Sequence, residues 1–215
     1  MSISVFLADD HTIVRDGLRY LLEAHGGIKV VGEAGNGRDA VRAVKKLRPD
    51  VVVMDILMAD LNGIEATDQI CQECPATRVV ILSMQSSSES ILRALRAGAR
   101  GYLFKESAGR ELVQAIHAVH AGHRYLSAKV SDEVVSACLK QEEAFRDPLA
   151  ALSRREREVL QLVVEGRTSA EIAGTLYLSV KTVDTYRSRL MKKLNIGDVP
   201  GLIKFAIQQG LTSLE

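Results

Sequence analysis

The chain has 215 residues, 47% apolar and 26% charged, with a formal net charge of +1. This composition excludes a disordered chain, and the length accommodates one or two domains with their own cores. No run approaches the ~18 consecutive apolar residues of a membrane span, and three cysteines are too few for a disulfide framework. Ile3–Leu7 has no basic stretch ahead of it, which argues against a secretory signal. The expectation is a cytoplasmic protein with no membrane partner. The charge is uneven: residues 1–122 and 123–150 are each net −1, and residues 151–215 are net +3. Only the C-terminal part has the sign of a polyanion binder.

Short β-branched runs at Ile3–Leu7, Lys29–Val31, Val51–Met54, Val79–Leu82 and Gly101–Phe104 read as strands. Val51–Met54 is apolar throughout, as a central parallel strand buried on both faces should be. Helix-period segments at Thr12–Ala24, Arg38–Leu47, Ile64–Cys74, Ser88–Ala97 and Arg110–Ala121 separate and follow them. In the first of these, Ile13, Leu18, Leu21 and Leu22 are predicted to share one side. The alternation predicts an α/β domain over 1–122, a doubly wound five-stranded parallel sheet with helices on both faces. Residues 123–150 read as a linker with helical content at Lys129–Gln141. Cys71 and Cys74, a lone pair on one helix, read as ordinary thiols, and His117, His120 and His123 as a polar helix face.

From residue 151 no strand pattern appears, and a small all-α domain of four helices is predicted over 151–215. Ser153 and Glu156 form a capping-box signature, and Gly166 stops that helix. Thr168 to Glu171 opens a second helix to about Leu176, Ser179 caps a third over Val180–Leu194, and Asp198 precedes a fourth with Pro200 in its first turn.

In open α/β sheets, ligands bind beyond the carboxyl ends of the strands. Asp9 and Asp10 follow the first strand here, Asp55 the third, Ser83 the fourth and Lys105 the fifth. Converging carboxylates repel one another and need a cation, and hard oxygen ligands suit Mg²⁺. A metal, a hydroxyl and an ammonium beside a carboxylate form a site for a phosphoryl group, with Asp55 on the central strand as nucleophile. A bland alternative exists for one member: Asp10 could simply cap the helix over Thr12–Ala24.

The stretches Val5–His11, Val51–Asp55, Val80–Ser83 and Gly98–Lys105 resemble, in order, the motifs of two-component receiver domains. The resemblance implies a flavodoxin-like fold and Asp55 as phosphoacceptor. It implies Asp9, Asp10, Asp55 and the main-chain carbonyl of Leu57 around Mg²⁺ (or Mn²⁺). It makes Ser83 and Lys105 phosphoryl partners and Tyr102 a switch aromatic that turns inward as Ser83 moves. One departure is Ala59, where the family usually has proline. Leu57 and Gln85 occupy variable positions.

Ser169–Leu176, a short turn, then Ser179–Leu194 is helix-turn-helix spacing. The third helix carries five basic residues against Asp184 alone. Leu152–Leu160, Gly166, Glu171–Ala173 and Ser179–Val183 resemble the LuxR-type helix-turn-helix domain, so nearly the whole chain resembles the NarL/FixJ response regulators. That implies Lys181 and Thr182 near the DNA backbone, and Asp184, Thr185 and Ser188 facing bases. It gives Arg187, Arg189, Lys192 and Lys193 to phosphates. Asp184 could accept from a cytosine amino group or serve the helix dipole. Val199, Leu202, Ile203 and Ala206 are implied in dimerisation. The expected function is a response regulator, not an enzyme in its own right. A sensor histidine kinase phosphorylates it, and it then binds double-stranded DNA as a homodimer to regulate transcription. Two alternatives stay open: phosphorylation-independent DNA binding with the receiver as a dimer scaffold, and a Mg²⁺-dependent phosphohydrolase. The latter needs a general acid where Leu57 stands.

Overall fold

Strands β1 (Ile3–Ala8), β2 (Ile28–Ala34), β3 (Val51–Met54), β4 (Arg78–Ser83), β5 (Gly101–Phe104) and β6 (Tyr125–Leu126) pair in one sheet. All pairings are parallel, in the spatial order β2-β1-β3-β4-β5-β6. The computed structural model describes residues 2–84, 87–139 and 148–212. Two compact units divide the chain, Met1–Glu142 and Glu143–Glu215.

The sheet corrects the five-stranded expectation: it has six strands. The extra strand is Tyr125–Leu126, which lies beside Gly101 and Tyr102 of β5. Two residues are too short for a periodic signal. Their conformation comes from main-chain pairing with an edge already in place. Ser127 N–H donates to the Tyr102 carbonyl at 3.2 Å, and Tyr125 N–H to the Arg100 carbonyl at 3.0 Å.

Helices α1 (Thr12–Ala24), α2 (Gly37–Leu47), α3 (Gly63–Glu73), α4 (Ser88–Arg96), α5 (Ala108–His120) and α6 (Ala128–Leu139) complete the first unit. The strand alternation sorts them onto two faces. Val5, Leu7, Val51, Val53, Val80 and Leu82 pack against Leu18 and Leu22 of α1 and Leu112, Ile116 and Val119 of α5. Phe6, Val52, Met54, Val79 and Ile81 pack against α2, α3, α4 and Val130 of α6. Residues 128–139, assigned to the linker from sequence, thus share a core with the sheet. The expected end of this helix at Gln141 lies outside the described residues. Ile13 departs from its predicted side: it is 83% exposed, because the helix turns Leu18 and Leu22 to the sheet instead.

Among the described residues, the second unit begins with a 3₁₀ turn at Pro148–Ala151, followed by α7 (Arg154–Val164), α8 (Ser169–Leu176), α9 (Val180–Leu194) and α10 (Val199–Gln208). Ser153 with Glu156 and Thr168 with Glu171 form reciprocal capping boxes. Ser179 accepts from Thr182 N–H and Asp198 from Gly201 N–H, so each helix start has a side-chain partner. Leu160, Leu162, Ile172, Leu176, Val183, Leu190 and Leu202 fill the shared core.

Candidate functional site

Register brings the acid pocket together. Ala8 lies opposite Met54, so Asp9 and Asp55 leave the ends of neighbouring strands side by side. Asp55 N–H donates to the Ala8 carbonyl at 2.8 Å, and Asp9 N–H to the Ala34 carbonyl at 3.1 Å. On the other side of β3, Ser83 pairs with Phe104, which puts Lys105 one residue beyond the same edge. The Lys105 ammonium lies 2.7 Å from Asp9 Oδ2 and 2.7 Å from Asp55 Oδ2. The second oxygen of Asp55 accepts from Ile56 N–H at 2.7 Å.

Asp55 is 3% exposed. Burial pushes its carboxyl up to about 6, against the pull of Lys105. Burial also disfavours the Lys105 charge, but Asp55 and Asp9 together hold its ammonium above the usual lysine value. Asp9, Asp10, His11 and Asp55 each offer a ligand atom within 4.8 Å of the others. Three carboxylates among them are of the ligand type that suits a hard divalent cation. His11 Nδ1 lies 2.6 Å from Asp10 and 3.3 Å from Asp9. The capping alternative for Asp10 does not describe this loop: His11 is the N-cap of α1, without a side-chain cap bond.

The Tyr102 ring is fully buried, stands edge-on to Phe104 with centroids 6.1 Å apart, and bonds the Ser83 side chain. Its inward position, expected as the end of a switch, is therefore the arrangement seen here. Burial holds its phenol well above the usual range. Leu57 is half-buried in the loop after β3.

Two glycines escaped the sequence reading. A Cβ on Gly63 would stand 1.8 Å from the Asp55 carbonyl oxygen, and one on Gly37 2.0 Å from the Leu61 carbonyl oxygen. Gly63 N–H also donates to the Ile56 carbonyl at 2.8 Å, so the α3 start is pressed against the backbone that carries Asp55. The Asn62-Gly63 pair, just before an apolar helical run, is the signal that could have revealed it: Asn62 caps α3 through Ile64 and Glu65 N–H.

In the second unit, Lys181, Asp184, Thr185, Ser188, Arg189, Lys192 and Lys193 are exposed on α9, and Thr182 and Arg187 are half-buried. Thr182 bonds Ser179 and Thr185 the Lys181 carbonyl locally, and three others have partners on other helices of the unit. Asp184 accepts from the Ser169 hydroxyl at 2.7 Å, Arg187 donates to the same hydroxyl at 2.9 Å, and Lys193 donates to buried Glu156 at 2.7 Å. These bonds tie α9 to the start of α8 and to α7. Of the residues implied in dimerisation, Leu202 and Ala206 lie in the core, while Val199 and Ile203 are half-buried. No helix among the described residues is long and apolar enough to cross a membrane.

Comparison with known proteins agrees with both halves. Residues 5–117 match the response regulator receiver domain, and residues 150–206 match the bacterial regulatory proteins of the luxR family. Response regulator UvrY of Escherichia coli (strain K12) is 39% identical over 214 residues, 99% of this chain and 97% of that one. Transcriptional regulatory protein MctR of Rhizobium johnstonii is 40% identical over 98% of this chain and 96% of its own. A LuxR-family response regulator from Aurantimonas sp. SI85-9A1 superposes with a TM-score of 0.62 at 41% identity, covering 65% of this chain and 99% of that one. The response regulator RcsB, in a structure of its DNA complex, gives a TM-score of 0.59 at 27% identity over 95% of this chain and 98% of that one. The chain belongs to the LuxR-type two-component response regulators: it is a DNA-binding protein regulated by phosphorylation of its receiver domain.

Proposed function

We propose that Asp55 accepts a phosphoryl group from a sensor histidine kinase, and that this event controls pairing of the chain and its binding to double-stranded DNA. The supporting observation is the Lys105 ammonium, 2.7 Å from both Asp9 and Asp55 at the edge of an acid cluster. Asp9, Asp10, Asp55 and the Leu57 carbonyl would hold Mg²⁺ (or Mn²⁺), which when bound supplies positive charge to the phosphoryl oxygens.

A carboxyl raised to about 6 is still ionised at neutral pH, so Asp55 can act as nucleophile. One of its oxygens bonds phosphorus as the phosphorus–nitrogen bond of the donor phosphohistidine breaks, and the electron pair stays on the imidazole. Lys105 moves from carboxylate to phosphoryl oxygen, and the Ser83 hydroxyl donates to another. Because Ser83 bonds Tyr102 beforehand, its transfer alters the support of that ring. The functional division keeps the receiver over 1–122, the linker over 123–150, whose residues 125–139 pack with the receiver sheet, and the output domain over 151–215.

In the output domain, Lys181, Thr182, Arg189 and Lys192 serve the DNA backbone, and Thr185 and Ser188 face base edges. Asp184, Arg187 and Lys193 reach DNA only by sharing or releasing the partners they hold within the unit. Val199 and Ile203 are the surface part of the α10 pairing face. Leu202 and Ala206 support it from the core.

Sedimentation with Mg²⁺, with and without beryllofluoride, tests the proposal beside Asp55→Asn. A monomer-to-dimer shift in the wild type alone is expected. An equal shift in both proteins, or no shift together with phosphoryl uptake by Asp55→Asn, overturns the assignment.

A further inference from the structure

The turn between α8 and α9 carries a residue that its backbone disfavours. Tyr177 closes α8 at φ 56 and ψ 46, in the left-handed region. An L residue with a bulky side chain crowds its own carbonyl there, and Gly or Asn is the usual occupant. Asn195 fills the equivalent position at the end of α9. The backbone role of Tyr177, an N–H directed at the Gly174 and Ala173 carbonyls, is one that asparagine would perform as well.

Packing does not explain the tyrosine either. Its side chain is 95% exposed, while Leu176 is buried in the core and Leu178 packs against it. No hydrogen bond to its hydroxyl occurs among the described residues. The fold therefore carries a strained aromatic for which it has no internal use, in the turn ahead of the helix whose Thr185 and Ser188 are read as facing base edges.

The surroundings favour an anion. The first turn of α9 contains no acidic residue, in contrast to Glu156 in α7 and Glu171 in α8. Lys181 is exposed in that turn. A residue two before the N-cap of a groove-entering helix, as Tyr177 is before Ser179, stands at the rim, where phosphates run, and not over the base edges. A phenol on two torsions presents a donor there at small entropic cost.

We propose that Tyr177 is a DNA-backbone contact, its hydroxyl donating to a phosphate oxygen beside the groove that α9 enters. This rests on the DNA-binding reading above. A neutral donor displaces no condensed counterion, so its loss changes affinity without changing the salt slope, unlike the loss of a lysine.

The test uses the full chain activated with Mg²⁺ and beryllofluoride, and two probes. One is a duplex selected by the wild type from a random 20-base-pair pool, and the other is a scrambled duplex of the same composition. Tyr177→Asn and Tyr177→Phe are compared with wild type by fluorescence anisotropy across a salt series, and by thermal melting. Asparagine suits the left-handed backbone, so Tyr177→Asn is expected to melt at or above the wild-type temperature. It is also expected to bind both duplexes about tenfold more weakly at unchanged salt slope. Tyr177→Phe, which keeps the ring, shows most of the same loss. If wild type binds and Tyr177→Asn binds equally, the assignment fails alone, and the ring serves a protein partner or nothing. If Tyr177→Phe binds as wild type, the hydroxyl contact is overturned. If wild type selects no duplex, the DNA-binding reading fails and this proposal with it.

Discussion

Lys105 and Asp55 form an ion pair at 2.7 Å in which each partner holds the other charged despite burial. Removing the ammonium leaves a carboxylate that is 3% exposed, with Asp9 still beside it. Lys105→Met is therefore expected to move the Asp55 titration upward from about 6, as followed by carboxyl-carbon NMR in metal-free buffer. An unchanged or lower value would mean that the pair does not set the charge of the pocket.

Gly63 tests how closely the Asp55 backbone is held. An alanine Cβ would meet the Asp55 carbonyl oxygen at 1.8 Å, and backbone cannot swing aside as a side chain can. Gly63→Ala should lower stability by about 1–3 kcal/mol and slow phosphoryl uptake together. Urea unfolding and a phosphorylation time course read the two effects. Full stability with normal uptake would show that the α3 start can shift freely.

Two neighbouring lysines on α9 should behave differently. Lys192→Ala is expected to weaken binding about equally across DNA sequences and to reduce the salt slope by about 0.9, one released counterion. Lys193 donates to Glu156, whose other bonds are to Ser153. Lys193→Ala should change the slope less and should also lower the melting temperature of the second unit. Equal slopes for both variants would show that the Glu156 bond does not restrain Lys193.

Acid sensitivity follows from Asp50. Hydrogen bonds from Ser4 hold its carboxyl below the usual aspartate value. A depressed folded value gives stability that is complete above the unfolded value and is lost as pH falls through the folded one. Ser4→Ala should therefore be less stable than wild type at pH 7, and the difference should narrow as pH falls below the unfolded aspartate value. It should not close, because Asp50 N–H also donates to the Ser4 hydroxyl. A difference constant with pH would remove the carboxylate from the account.

The parts legible in the sequence were those with a local cause. Alternation of β-branched and helix-period runs located β1 to β5 and their helices, and Ser153, Thr168 and Ser179 located helix starts. Strand ends placed Asp9, Asp55, Ser83 and Lys105 on one edge. The rest depended on contacts across the fold. Periodicity does not say which of several neighbouring apolar residues turns outward, so it groups Ile13 with Leu18 and Leu22 although Ile13 is exposed. The same limit hid the core positions of Leu202 and Ala206. Tyr125–Leu126 becomes a strand only because Gly101 and Tyr102 offer it an edge. Gly37 and Gly63 matter only because a carbonyl lies against each.

That sixth strand also restricts how two copies of the chain can meet. Without it, the outer side of Gly101 and Tyr102 would present main-chain donors and acceptors to any extended segment of another molecule. Tyr125 and Leu126 occupy those positions from within the same chain. Strand-to-strand joining through Gly101 and Tyr102 themselves is closed, and the edge on this side passes to a strand of two residues, too short to template a long pairing with another sheet.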